Sequence, residues 1–172
     1  ALLASLLRGM SPANAYPDGT PGGFVTLAND ALVRRAVEAR FATAIYATLD
    51  RRGRLTYCNA GHNPPFLVSR NGVRRLDWAG MIVGAFEHAV FEEDTQQLWP
   101  GDVLVAYSDG VTEARDPSGD EFGEERLLSC VQENCTRSPG EIRDCLLSAV
   151  RQFSAGTAQS DDVTMLVLRY TG

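Results

Sequence analysis

The chain of 172 residues contains no lysine; all 16 of its basic residues are arginine. That absence removes whole classes of chemistry, because a Walker A phosphate loop, the strand lysine of a protein kinase and a Schiff-base enzyme each need a lysine amine. Histidine is nearly as scarce. With only His62 and His88, a multi-histidine zinc site would have to recruit both, together with acids or cysteines. The four cysteines, Cys58, Cys130, Cys135 and Cys145, show no C-x-x-C spacing and read as buried, reduced thiols. A net charge of −6 without any basic block argues against a nucleic-acid partner, whose phosphates call for clustered positive charge. Nothing resembles a signal peptide or a run of some 18 apolar residues, so the sequence reads as soluble and cytoplasmic, with no membrane partner. A Ser-His-Asp triad drawn from Ser108 or Ser160 would lack the G-x-S-x-G elbow.

What is present is globular: 44% hydrophobic and 22% charged residues, enough for one domain with a real core. The opening "ALLASLLRGM" has the spacing of an apolar helix face but no residue before it to cap that helix, so the sequence reads as starting inside a larger domain. A loop through "SPANAYPDGTPGG" precedes a second helical pattern, "FVTLANDALVRRAVEAR". From "FATAIYATLD" the texture turns to β: a hairpin through "RRG" into "RLTYCNAGH", then "PPFLVSR" and "VRRLDW" joined by Asn71-Gly72 as a two-residue turn. "HAVFEEDTQQLW" reads as a strand, and "VLVAYSDG" as a central strand buried on both faces. Two helices follow, the second starting at Ser138-Pro139 with Glu141, and "DVTMLVLRY" is a final strand. Hairpins dominate the middle, which favours an α+β arrangement, a mainly antiparallel sheet or sandwich flanked by helices, over a doubly wound sheet.

Three acids stand where strand meets loop: Asp109 directly after "VLVAYS", and Asp161 and Asp162 directly before "VTMLVL". If the two strands are antiparallel neighbours, these carboxylates converge at one sheet edge. Oxygen-only ligation suits Mg²⁺ or Mn²⁺, and two such ions about 3.5–4 Å apart can hold a phosphoryl group for in-line attack by water. Each signal has an ordinary reading too. Asp-Gly is a frequent turn former, "SDD" can form Asx hydrogen bonds, and adjacent carboxylates at about 4 Å repel by ~4 kcal/mol at an effective dielectric of ~20. His62 reads as a structural histidine in a loop, His88 as a strand-surface residue, and Glu113, Asp116, Asp120, Glu121, Glu124 and Glu125 as solvated loop and helix-start acids.

Taken together, "FATAIYATLD", "GRLTYCNAGHNPPFLV", "LWPGDVLVAYSDGVTEARDPSGDEFG" and "SDDVTMLVLR" resemble the SpoIIE-type branch of the protein phosphatase 2C family, bacterial metal-dependent serine/threonine phosphatases, over about residues 1–170. The resemblance implies a phosphatase 2C-like antiparallel β-sandwich in α-β-β-α layers and two Mn²⁺ or Mg²⁺ ions. It matches Asp109 and Asp161 to metal-binding aspartates. Asp162 becomes an accessory ligand or a support for the ligands, Gly110 a glycine that lets the backbone approach the site, and Asn59 with His62 a structural turn. No side chain is assigned as nucleophile, because metal-activated water fills that role without a phosphoenzyme. The implied substrate is a small phosphorylated regulator of the anti-sigma-factor antagonist kind, with a sensor or receiver domain upstream in the parent protein.

The family's G-D-x-x-D and D-x-x-G-H-G elements do not occur in the sequence. Residues 1–172 therefore read as the C-terminal three-quarters of a single SpoIIE-type domain with an incomplete two-metal site. Strands meant to pair with absent ones would expose edges or pair with a second chain, as in a homodimer. The rival reading is a catalytically inert fragment or pseudophosphatase that serves as a protein-binding module.

Overall fold

The computed structural model describes residues 19–34, 41–77, 80–159 and 161–172. The helix expected over residues 1–10, the end of the next helical pattern at 35–40, Trp78 and Ser160 lie outside the described residues. Helices α1 (Pro21–Arg34), α2 (Asp109–Thr112), α3 (Gly123–Glu133) and α4 (Pro139–Phe153) accompany strands β1 (Ala44–Leu49), β2 (Arg54–Ala60), β3 (Phe66–Ser69), β4 (Gly72–Arg75), β5 (Asp94–Gln97), β6 (Val103–Tyr107) and β7 (Met165–Arg169). The chain divides into two compact units, one from residues 1–62 and 78–97, the other from 63–77 and 98–172. Each holds one antiparallel sheet, ordered β1-β2-β5 and β4-β3-β6-β7 respectively.

In the first unit α1 begins three residues before the expected Phe24. Thr20 Oγ1 accepts a hydrogen bond from Gly23 N at 3.2 Å, and Pro21 follows it with a φ already suited to a helix. A Cβ at Gly22 would lie 2.4 Å from the Phe91 carbonyl oxygen, so only glycine permits this approach. Phe24, Val25 and Ala28 form the buried face of α1 and cluster with Cys58, Ala60, Val83, Ala89 and Phe91. Asp50 Oδ1 accepts from both Arg52 N and Arg54 N at 2.9 Å, and Gly53 takes φ 80°, which closes the β1–β2 turn.

Two expectations shift here. The strand expected over residues 88–99 shortens to Asp94–Gln97; Ala89 and Phe91 owe their burial to loop packing in the α1 cluster. His88 is therefore not on a strand but in an exposed turn at φ 60°.

In the second unit the β3–β4 hairpin is where it was expected, but its two-residue loop is Arg70-Asn71, because Ser69 pairs with Gly72. The positive φ of 118° falls on Gly72 alone. Strand β6 is interior to its sheet, and Val103, Val105 and Tyr107 are buried in one core with Leu127 and Val131 of α3 and Ile142, Leu146 and Val150 of α4. Helical spacing puts each of these sets on one face, and burying each such aliphatic side chain contributes about 1.5–3 kcal/mol. The Asp109-Gly110 step, for which a turn was the ordinary alternative reading, opens the short helix α2.

Helix α4 starts as its sequence announces. Ser138 Oγ accepts from Glu141 N at 3.3 Å, while Glu141 Oε2 accepts from Ser138 N at 2.9 Å and from Ser138 Oγ at 2.6 Å. The Ser138 hydroxyl, then its backbone N–H, hold the Glu141 carboxyl below its ordinary range. A lowered folded pKa means that this contribution is fully present above the ordinary value of 4.5 and is lost as pH falls through the lower folded value. Ser138→Ala is expected to cost about 1 kcal/mol in urea unfolding at pH 7. The gap from wild type should narrow below about pH 4.5; equal midpoints at pH 7 would remove the cap from the account.

Candidate metal centre

The register of β6 with β7 ends at Tyr107↔Met165, and Ser108 continues the pairing by other means. Ser108 N donates to Thr164 O at 2.9 Å, Thr164 N donates to Ser108 Oγ at 2.9 Å, and Ser108 Oγ donates to Asp162 O at 2.8 Å. One serine thus ties the exit of β6 to the entry of β7. Gly110 closes the junction. A Cβ there would lie 2.5 Å from Asp162 O and 3.2 Å from Asp161 O, so the backbone after Asp109 runs directly against the backbone of Asp161 and Asp162.

Asp109, at the start of α2, has Oδ1 bonded by Gly110 N at 2.9 Å; Asp161 has Oδ1 bonded by Asp162 N at 2.7 Å, and Gln159 Nε2 donates to Asp161 O at 2.7 Å. Among the described residues the second oxygen of each aspartate and the whole Asp162 carboxylate accept no hydrogen bond, and all three side chains are exposed. Exposure answers the electrostatic question the adjacent acids raise. In water two charges about 4 Å apart repel by only ~1 kcal/mol, so hydration offsets most of the cost of placing the two acids side by side.

The donor set is all oxygen, with no nitrogen or sulfur in it, which is the chemistry of a hard divalent cation such as Mg²⁺ or Mn²⁺. Among the described residues no group of three or more histidine, cysteine, aspartate or glutamate side chains is placed to hold a metal. These aspartates offer oxygen donors of the kind such an ion takes, without forming a complete donor set among the described residues. Gly110 supplies the room, since any side chain there would push the Asp161–Asp162 backbone away.

The other acids singled out by sequence serve elsewhere. Asp116 Oδ1 accepts from Ser118 N and Asp120 N, Glu121 pairs with Arg115 at 2.9 Å, and Glu124 accepts from the buried Tyr107 hydroxyl at 2.8 Å and from Arg75 at 3.0 Å. Burial, then the Glu124 carboxylate beside it, pushes the Tyr107 phenol well above its ordinary range. Asn59 and His62 belong to the first unit. The buried Asn59 side chain donates to His62 O at 2.9 Å and accepts from His62 N at 2.8 Å across Gly61 at φ 72°, while His62 Nδ1 lies 3.4 Å from Thr43 Oγ1. The sequence alone suggested Ser108 only as a nucleophile and gave no signal for its cross-strand role, whose partners lie more than fifty residues away.

The chain matches the family described as Stage II sporulation protein E (SpoIIE) over residues 1–171. It belongs to the SpoIIE family. Among curated relatives it is 35% identical over 147 residues to Protein IcfG of Synechocystis, covering 84% of this chain and 23% of the relative. It is 32% identical over 149 residues to the phosphoserine phosphatase RsbU of Bacillus subtilis, covering 80% and 42%. The chain thus spans less than half the length of either. The PP2C domain of SiaA from Pseudomonas aeruginosa superposes with a TM-score of 0.83 at 20% identity, covering 99% of this chain and 70% of that one. The catalytic domain of the serine/threonine phosphatase PstP, solved with two manganese ions, gives a TM-score of 0.67 at 13% identity, covering 99% and 78%. The SpoIIE-family chain therefore has a phosphatase 2C-like α+β fold.

Gly110→Ala is the direct test of the backbone junction. The added methyl meets a carbonyl oxygen rather than a flexible side chain, so the variant is expected to lose about 1–3 kcal/mol of stability in denaturant unfolding. An unchanged midpoint would mean that the close approach at Asp162 is not a constraint.

Proposed function

We propose that residues 1–172 form the C-terminal three-quarters of one SpoIIE-type phosphatase domain, which hydrolyses phosphoserine or phosphothreonine on a small bacterial signalling regulator of the anti-sigma-factor antagonist type. The observation that carries the reading is the junction at which Gly110 and Ser108 bind the strand end bearing Asp109 to the loop bearing Asp161 and Asp162. Membership of the SpoIIE family supports it, as does the phosphoserine phosphatase activity in the name of the relative RsbU.

In this reading Asp109 and Asp161 hold Mn²⁺ or Mg²⁺, as the manganese ions of PstP suggest, and Asp162 adds charge beside them. When bound, such ions supply an activated water and neutralise the phosphoryl oxygens. The residues themselves position. Ser108 and Gly110 fix the spacing of the two aspartate backbones, each aspartate spends one oxygen on the backbone N–H next to it, and the other oxygen remains for the cation. Asn59 and His62 shape a turn. The protein works in the cytoplasm beneath an upstream sensor or receiver domain, and no described helix is long and apolar enough to cross a membrane.

The test is Mn²⁺-dependent release of phosphate from a phosphoserine protein by a protein carrying this sequence. Asp109→Ala and Asp161→Ala are each expected to lower kcat/KM by at least about 100-fold, and chelation should abolish turnover. Full activity in Asp109→Ala would overturn the metal assignment, and absence of hydrolysis in the wild type would leave an inert binding module.

A further inference from the structure

Within the second unit, a cavity of about 480 Å³ opens beside the aspartate junction, between the end of α4 and the loop that leads into β7. Gly110 and Val163, which flank the metal-ligand candidates in sequence, form part of its wall. Leu147 and Val150 of α4 line it too, and among the described residues Arg115 and Arg151 contribute its only charges. None of its thirteen lining residues is acidic, although the chain carries 22 acids against 16 arginines. Arg115 is already paired with Glu121 at 2.9 Å. Arg151 is exposed and has no hydrogen bond or ion pair among the described residues.

The C-terminus of α4 also faces this space, and its carbonyls carry partial negative charge. That charge is muted, because Val150 O accepts from Ser154 N at 3.0 Å and from Ser154 Oγ at 2.9 Å, and Gln152 O accepts from Ala155 N at 3.4 Å. A full guanidinium charge outweighs what is left of the helix-end charge, and although the exposed Asp109, Asp161 and Asp162 next to the cavity repel anions, none of them lines it, so an anion with an apolar stem has its pairing point at Arg151. Its volume is in the range that takes a few side chains and is too small for a folded partner.

The geometry points to this cavity as a docking subsite for an acidic side chain on the segment of the substrate protein that flanks the phosphorylated residue. The inference rests on the phosphatase reading for the identity of that segment. Arg151 pairs with the carboxylate, and Leu147, Val150 and Val163 pack against its methylene stem. Arg151 is a specificity residue here, since it touches the substrate away from the reacting phosphate.

Short fluorescent phosphoserine peptides with glutamate or glutamine beside the phosphoserine can be titrated against the protein in chelator at low salt, where binding is read without turnover. The glutamate peptide is expected to bind about fivefold more tightly. Arg151→Glu should abolish that preference, Arg151→Lys should keep part of it, and Ala158→Trp, which fills the cavity without changing charge, should weaken both peptides. Equal binding of the two peptides, no binding of either, or a preference that survives Arg151→Glu would each overturn the subsite. Mn²⁺-dependent hydrolysis of p-nitrophenyl phosphate by the unsubstituted protein reads the phosphatase proposal separately.

Discussion

Five cross-strand pairs, from Val103↔Arg169 to Tyr107↔Met165, hold β6 and β7 antiparallel, and the position of every candidate ligand follows from where that pairing stops. Because side chains alternate along a strand, a slip of one residue would turn the Val103, Val105 and Tyr107 face from the α3–α4 core to the other side. Such a slip would also separate Asp109 from Asp161. The core and the candidate site thus depend on the same register. Ser108 and Gly110 extend the constraint beyond the last backbone pair, one by hydrogen bonds to both sides of Val163 and the other by having no side chain.

Much of this arrangement could be read from sequence, for physical reasons specific to particular residues. The run Val103–Tyr107 is apolar without alternation, as an interior strand requires, and it lies between β3 and β7. Ser138, Pro139 and Glu141 carry their helix-start chemistry locally, so the start of α4 needed no knowledge of tertiary packing. Elsewhere the decisive interaction was distant in sequence. The start of α1 at Pro21 depends partly on Gly22 meeting Phe91 and Glu93, some 70 residues on. Asn71-Gly72 marks a hairpin correctly, but the β3–β4 register puts the positive φ only on the glycine.

The strand pairing beneath the candidate site was also legible. Two strands bounded by acids, placed as antiparallel neighbours, bring Asp109 and Asp161 to one edge by topology alone, and that topology is present. The tether through Ser108 was not legible, because a serine after a strand has many uses and its partners lie more than fifty residues away. The acid-free cavity was hidden for the same reason, since its wall is assembled from residues between Gly110 and Val163. The acidic composition also acquires a local meaning. Negative charge gathers at the aspartate junction and along the solvated loop, which suits a cation, while the described residues lining the adjoining cavity include two arginines and no acid, which suits an anionic group.

Sharing of one cation by Asp109 and Asp161 is read most directly from a double-mutant cycle on Mn²⁺ affinity, followed by the electron paramagnetic resonance of free Mn²⁺. If both carboxylates bind the same ion, Asp109→Ala and Asp161→Ala each weaken the tightest site strongly and the double variant loses little more, a clear departure from additivity. Independent, additive losses, or a tight site that survives either substitution, would contradict the account.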